Sequence, residues 1–85
     1  MLVVLSDKAK RDILKMDEKP ARIFAKHIDK ISKLPPRRHL KHGLPYSVDE
    51  VGGGRLVYTY KEGTLYIIRC FTNHRDYEKW YESYE

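Results

Sequence analysis

Cysteine is almost absent from this chain of 85 residues, which contains only Cys70. A single thiol cannot form a disulfide within the chain, so the sequence predicts a protein of a reducing compartment in which Cys70 is a small core residue. No cysteines and histidines have the usual spacing of a zinc site. We therefore expect neither a metal ion nor a small-molecule cofactor.

Long apolar runs are missing too. The run Leu2-Val3-Val4-Leu5 stops at Ser6, whereas a membrane-spanning helix needs about 18 or more apolar residues and a secretory leader needs a charged segment before its apolar one. The sequence thus predicts a cytoplasmic protein with no membrane partner. The triple glycine at 52–54 lacks the lysine and the following helix of a phosphate-binding P-loop, so we interpret it as a turn.

Charge is abundant and unevenly distributed. The formal net charge is +5, from 17 basic and 12 acidic residues. Residues 1–48 hold 12 of the basic and 5 of the acidic side chains, and residues 49–85 hold the other 5 and 7. This imbalance favours a polyanionic partner. A chain of this length predicts one domain, residues 1–85, in which an active site would be a surface groove for a large ligand.

The first half of the chain predicts a short strand and a helical hairpin. Leu2 to Leu5 is β-branched and brief, and Ser6 is a good cap for a helix that continues to about Met16. Asp17 can cap a second helix, which Pro35-Pro36 ends because proline cannot continue the hydrogen-bond ladder. The predicted inward residues of the two helices are Ala9, Ile13 and Leu14, followed by Ala21, Phe24, Ile28, Ile31 and Leu34.

A β-hairpin dominates the second half. Two runs rich in β-branched and aromatic residues, 54–61 and 64–71, flank the two-residue loop Glu62-Gly63, and a partly alternating run at 46–51 predicts a strand before them. A regular ladder pairs Lys61 with Thr64, Tyr58 with Ile67, Leu56 with Arg69, and Arg55 with Cys70. The predicted core face carries Leu56, Tyr58, Tyr60, Leu65, Ile67 and Phe71. The opposite, mixed face carries Arg55, Val57, Thr59, Tyr66, Ile68 and Cys70.

Two short segments carry candidate functional residues. The connector Arg37-Arg38-His39-Leu40-Lys41-His42-Gly43 follows the double proline and lies outside any helical periodicity. Because binding residues concentrate on connectors held by rigid elements, we expect nucleic-acid contacts there. The segment His74-Arg75-Asp76-Tyr77 follows the last strand, and core packing explains the helically spaced Tyr77, Trp80 and Tyr81 but not these four polar residues together.

The order of these elements and motifs resembles the RelE/ParE superfamily of toxins from toxin–antitoxin systems. The strand Gly54-Arg55-Leu56-Val57-Tyr58 and the closing His74-Arg75-Asp76-Tyr77-Glu78-Lys79 resemble the corresponding motifs of the family, the second most closely those of HigB-type members. Arg38-His39-Leu40-Lys41 is similar to the basic connector of RelE-like members. The resemblance covers nearly the whole chain and implies an α+β fold, β1-α1-α2-β2-β3-β4-α3, with an antiparallel sheet packed against an N-terminal helical hairpin.

The resemblance also implies a function. It suggests a type II toxin, a metal-independent endoribonuclease that enters the ribosomal A site beside the 16S-type rRNA, cuts mRNA and so inhibits translation, and is held inactive by a cognate antitoxin protein. The mRNA 2′-hydroxyl would attack the adjacent phosphorus, so the site must align the nucleotide, stabilise charge on the phosphate and transfer protons.

Residue roles follow from the resemblance. Arg55 would bind the phosphate, because a guanidinium bonds two oxygens and stays charged. His74 would transfer a proton, and Tyr77 would stack on a base or bond the phosphate. Lys41, with Arg38 or His42, would contact the backbone or transfer a second proton, and Asp76 would orient His74 or act itself. The expected RNA-binding residues are Arg37, Arg38, Lys41, His42, Arg69 and Arg75.

Two alternatives remain at this stage. ParE-type members share the fold but inhibit DNA gyrase without cutting RNA, because fold alone does not determine function. A non-enzymatic RNA-binding module would bind RNA and leave it intact. A gyrase inhibitor would tolerate the loss of His74, whereas the nuclease would not.

Overall fold

The computed structural model describes residues 1–34 and 45–84. Its elements follow the predicted order: β1 (Leu2–Leu5), α1 (Asp7–Leu14), α2 (Glu18–Ser32), β2 (Ser47–Val51), β3 (Gly54–Lys61), β4 (Thr64–Phe71) and α3 (His74–Tyr84). The strands form one sheet in the order β1-β4-β3-β2. β2, β3 and β4 are antiparallel, but β1 pairs with β4 in parallel, so the sheet is mixed and not antiparallel throughout. A crossover through α1 and α2 permits this parallel pair.

The predicted turn of the central hairpin is confirmed. Glu62 and Gly63 both have positive φ, 48° and 77°, as a two-residue type I′ turn requires. Lys61 pairs with Thr64, and Tyr58 pairs with Ile67. Beyond that point the predicted register is wrong, because a bulge lies between Val57 and Tyr58.

The bulge places one extra β4 residue, Ile68, in the ladder. Val57 therefore faces Arg69, Leu56 faces Cys70, and Arg55 faces Phe71. An extra residue moves every later side chain to the other face of the sheet. Cys70 accordingly joins the core beneath the helices, and Phe71 leaves the predicted core face for the opposite one.

Two apolar clusters lie on the two faces of the sheet. The larger packs α1 and α2 against it through Ala9, Phe24 and Ile28, together with strand residues such as Leu56 and Ile67. The smaller packs α3 against the opposite face and is built on Val57, Phe71 and Tyr77. Burial, and secondly the nearby Asp12 carboxylate, raises the pKa of the Cys70 thiol to about 12. Cys70 is thus a core residue, as predicted.

The helix limits agree with prediction except at the C-terminal ends. The Ser6 hydroxyl accepts a hydrogen bond from the Ala9 N–H, as an N-cap does. Asp17 holds the N-cap position of α2, but its side chain makes no capping bond. Leu14 is 83% exposed, contrary to prediction, because it lies about 140° around the helix from Ala9. α2 ends at Ser32, before Leu34.

Replacing Gly54 by alanine should destabilise the fold. A Cβ there would lie 2.0 Å from the carbonyl oxygen of Phe71, so the two strands would have to move apart. We expect unfolding free energy to fall by at least about 1–3 kcal/mol. Gly53→Ala is the matched control, since a Cβ at Gly53 has no neighbour within 4 Å, and it should change stability by less than about 0.5 kcal/mol. Urea titration followed by circular dichroism measures both. Equal losses would contradict the close approach.

Candidate functional site

Arg55 lies on the α3 side of the sheet, near the start of β3. Its cross-strand partners are Glu50 on β2 and Phe71 on β4. The guanidinium Nη1 donates to the Gly54 carbonyl oxygen over 2.8 Å and lies 3.9 Å from the Glu50 Oε1. The side chain is 20% exposed. Because Arg55 carries five donors and uses one well, it can still bind a two-oxygen anion.

Tyr77 lies beside Arg55 and is buried. The ring is 3% exposed, and its hydroxyl has no hydrogen-bond partner in the part of the chain that the structure describes. Burial, with a smaller contribution from Tyr81, raises the pKa of Tyr77, and the positive charge of Arg55 opposes this shift. The hydroxyl therefore keeps its proton and is an unused donor next to a cation. Buried polar groups without partners are rare and call for an explanation.

The Tyr77 ring is enclosed by other aromatic side chains. Its centroid lies 6.0 Å from Phe71, 6.3 Å from Trp80 and 6.0 Å from Tyr81. The ring is thus packed as core and is covered in this structure, which leaves no face for the predicted stacking on a base. The rings of Trp80 and Tyr81 are only half-buried, so they are the better stacking surfaces on α3. Their helical spacing was visible in the sequence.

His74 stands at the start of α3, exposed and within reach of Tyr77. The two ring centroids are 5.9 Å apart. The Nε2 of His74 pairs with the Glu78 carboxylate one turn along the helix. A carboxylate in this position orients the imidazole ring. The structure thus brings Arg55, Tyr77 and His74 to the same end of the sheet, as predicted.

Asp76 has a different place from the one predicted. Its backbone N–H donates to the Asn73 Oδ1 over 2.8 Å, and the Asn73 amide donates to the Asp76 Oδ2 over 3.1 Å. This reciprocal pair is a capping arrangement that starts α3. The contacts of the carboxylate are with Asn73 and not with His74, so the prediction that Asp76 orients His74 is wrong.

Arg69 is engaged in the fold. Its Nε and Nη2 donate to the two oxygens of Asp12 over 2.7 and 2.9 Å, and its guanidinium lies 4.7 Å from the centroid of Phe71. It pairs with Val57, so its predicted position opposite Leu56 on the core face is wrong because of the bulge. The bidentate pair uses the donors that a phosphate would need. Arg75 is exposed near the start of α3.

Arg69 and Asp76 border a groove separate from the Arg55 cluster. The groove has a volume of about 670 Å³ and runs between the end of α1 and α3, with Lys15, Lys79 and Trp80 among its lining residues. Asp76, Lys79 and Ser83 follow one side of α3, and His74, Glu78 and Tyr81 follow the other. The predicted site residues thus divide into two groups on either side of α3.

The four predicted connector residues lie outside the described residues. They are Arg37, Arg38, Lys41 and His42, and their roles stay predictions. Within 1–34 and 45–84, no helix is long and apolar enough to cross a membrane. The same residues contain no group of three or more histidine, cysteine, aspartate or glutamate side chains that could hold a metal ion.

Sequence reasoning missed Glu50. Its carboxylate is the acid nearest to Arg55 among the interactions described above, at 3.9 Å. The signal was present, because a two-residue turn at Gly52-Gly53 places Glu50 opposite Arg55 by the rule that was applied to Glu62-Gly63.

The architecture is that of the RelE-like fold, a mixed four-stranded sheet with a helical hairpin on one face and a C-terminal helix on the other. A comparison with solved structures supports this assignment. The chain is similar to the crystal structure of the isolated E. coli RelE toxin, with a TM-score of 0.74 and 15% sequence identity over 99% of this chain and 98% of that one. No family model and no curated protein matches the sequence.

Proposed function

We propose that this protein is the toxin of a type II toxin–antitoxin system and that it cuts mRNA in the ribosomal A site as a metal-independent endoribonuclease. The likeness in fold to the E. coli RelE toxin supports the assignment as a toxin. The observation that carries the assignment as a nuclease is the position of Arg55 beside the buried hydroxyl of Tyr77, which has no partner in the part of the chain that the structure describes. A phosphate bound by Arg55 would satisfy both groups once the aromatic cover over the Tyr77 hydroxyl opens.

The proposed chemistry assigns one task to each group. Arg55 binds two oxygens of the phosphate and stabilises the additional charge of the transition state. The hydroxyl of Tyr77 donates a hydrogen bond to the same phosphate. His74, oriented by Glu78, lies where it can exchange a proton with an oxygen of the RNA. The 2′-hydroxyl attacks phosphorus, and the products are a 2′,3′-cyclic phosphate and a 5′-hydroxyl end.

The test is cleavage of a defined mRNA on programmed ribosomes under single-turnover conditions. Primer extension should locate a cut in the A-site codon, and the same mRNA without ribosomes should stay intact or be cut far more slowly. Analysis of the ends should find the cyclic phosphate. Inhibition of DNA gyrase with intact mRNA would favour the ParE-like alternative, and binding without cleavage would favour the RNA-binding module.

The proposal includes two partners in the cytoplasm. One is the ribosome with its mRNA and 16S-type rRNA, to which the connector residues Arg37, Arg38, Lys41 and His42, with Arg75, would add contacts. The other is a cognate antitoxin, whose acidic and apolar side chains would cover Arg55 or the aromatic surface of α3. Arg69 contributes less than first expected, because Asp12 already binds its guanidinium.

Binding to programmed ribosomes should weaken steeply with salt. Residues 1–48 carry most of the basic side chains, and each phosphate that they neutralise releases counterions. Six contacts would lower the affinity about 10³-fold between ~50 and ~200 mM monovalent salt. Filter binding at constant Mg²⁺ measures this, with sucrose gradients to confirm intact ribosomes. An affinity that does not change over this range would contradict an electrostatic interface.

A further inference from the structure

The proposed reaction needs a group that removes the proton of the 2′-hydroxyl, and among the described residues the predicted candidates do not supply it. Asp76 caps α3 and borders the groove on the far side of that helix. Lys41 lies outside the described residues. His74 can serve only one of the two proton transfers at a time, and the leaving 5′-oxygen needs the other.

Glu50 is in position for the first transfer. Its carboxylate lies 3.9 Å from the Arg55 guanidinium and is 73% exposed, so it borders the anion site and stays open to a large substrate. The contact is too long for a strong hydrogen bond, and exposed ion pairs contribute little to stability. Holding Arg55 in place therefore does not explain this acid well, because the Gly54 carbonyl oxygen already does so over 2.8 Å.

The order of the strands determines on which side of Arg55 the base and the acid would lie. Glu50, Arg55 and Phe71 form one row across β2, β3 and β4, with adjacent strands about 4.8 Å apart. His74 follows Phe71 by three residues and therefore lies on the β4 side. Glu50 on β2 and the chain that leads from β4 to His74 thus lie on opposite sides of Arg55 in the sheet. An in-line displacement at phosphorus needs its base and its acid in that arrangement.

We infer that Glu50 is the general base of the proposed cleavage and that His74 is the general acid. The carboxylate takes the proton of the 2′-hydroxyl as the oxygen forms its bond to phosphorus. The bond from phosphorus to the 5′-oxygen breaks, and the imidazolium of His74 gives its proton to that oxygen. Charge and atoms balance. Proton exchange with water or buffer then returns Glu50 to the carboxylate and His74 to the imidazolium. The inference rests on the proposed function.

Glu50→Gln tests this inference, because it keeps the length and planar shape of the side chain but removes its negative charge and its ability to take a proton. We expect single-turnover cleavage on programmed ribosomes to fall about 10²- to 10⁴-fold. Affinity for the same ribosomes carrying mRNA with a 2′-deoxynucleotide at the cleavage position should be unchanged or higher, because a negative charge has left the phosphate site. This uncleaved substrate separates binding from chemistry and shows that the variant is folded.

The matched control is Glu62→Gln, which makes the same change at the opposite end of the hairpin. Glu62 lies in the β3–β4 turn, about 20 Å from Arg55 along the strand. It should cleave at the wild-type rate. If Glu50→Gln also does so while the wild type cuts, the inference is wrong and the proposed function stands. If the wild-type protein leaves mRNA intact, the inference fails together with the proposed function.

A second substrate distinguishes the base from the acid. When sulfur replaces the 5′-oxygen at the cleavage position, the leaving group is a thiolate, which departs readily without receiving a proton from a general acid. His74→Ala should cut this RNA within a few-fold of the wild-type rate, whereas Glu50→Gln should remain slow by about 10² or more. Recovery of Glu50→Gln on the sulfur substrate would assign the carboxylate to the leaving group and overturn its role as base.

Discussion

Arg55→Ala should lower mRNA cleavage on programmed ribosomes by about 10²-fold or more. The substitution removes the group that stabilises charge on the phosphate in the transition state. Removal of a single donor of this kind typically lowers the rate of an enzyme about 10²- to 10³-fold. Among the described residues, the guanidinium is bound well only by the Gly54 carbonyl oxygen, so its other donors are available to substrate. Single-turnover rates at saturating ribosome concentration measure the effect on chemistry.

Two further variants make the arginine result specific. Arg55→Lys keeps the charge but cannot bond two phosphate oxygens in a fork, so it should fall between the wild type and Arg55→Ala. Arg22→Ala removes a guanidinium that already pairs with Glu18 on the exposed side of α2, and it should cleave normally. Circular dichroism should show native folds for all three. Wild-type cleavage by folded Arg55→Ala would remove Arg55 from the site.

Tyr77→Phe should raise stability and lower cleavage. The hydroxyl is buried without a partner in the described part of the chain, and an unsatisfied buried group costs about 1–3 kcal/mol. Its removal should therefore raise the unfolding free energy by about 1 kcal/mol or more. Cleavage should fall between about 10- and 10⁴-fold, according to how directly the hydroxyl acts on the phosphate. Thermal unfolding and single-turnover kinetics measure the two effects.

Tyr58→Phe is the matched control for tyrosine. Tyr58 is as buried as Tyr77, but its hydroxyl donates to the Asp49 Oδ1 over 2.9 Å on the other face of the sheet. The same deletion of one oxygen should therefore lower stability, by about 1.5–3 kcal/mol for a bond to a charged group, and leave cleavage unchanged. If Tyr77→Phe is also destabilised, its hydroxyl has a partner in solution and the proposed donor role fails.

Local signals predicted the parts of the fold that local forces determine. The Glu62-Gly63 turn needs two residues with positive φ, and the Ser6 cap needs a hydroxyl three residues before a free N–H, so both are visible in a few residues. The same holds for the placement of Arg55, His74 and Tyr77 at one end of the sheet, which follows from the hairpin turn, although the register at Arg55 does not. These features did not require knowledge of distant contacts.

The mistaken predictions have two sources. In some, two local patterns compete, and in others the structure depends on contacts between residues that are distant in sequence. Leu14 is apolar and adjacent to Ile13, but it lies about 140° around α1 from Ala9 and so faces away from the core. Asn73 and Asp76 have the spacing of a helix-capping pair. The nearby His74 favours a catalytic role for Asp76 instead, and in the sequence the two patterns compete. The bulge at Ile68 has one signal in the sequence, because regular alternation would place the charged Arg69 on the core face.

The bulge has its own partners, and they come from the N-terminal segment. The Ser6 hydroxyl donates to the carbonyl oxygen of Ile68 over 2.8 Å, across 62 positions of sequence. The Asp12 carboxylate accepts from the backbone N–H of Cys70 over 3.0 Å, across 58 positions. Beyond the short β1, these groups take the place of a neighbouring strand along the edge of β4. An isolated β3–β4 hairpin has neither partner, so the register that sets Phe71 beside Arg55 is completed only when the first segment of the chain docks. Assembly of the candidate site therefore depends on the docking of the N-terminal segment, although Glu50, Arg55, His74 and Tyr77 all lie in the second half of the chain.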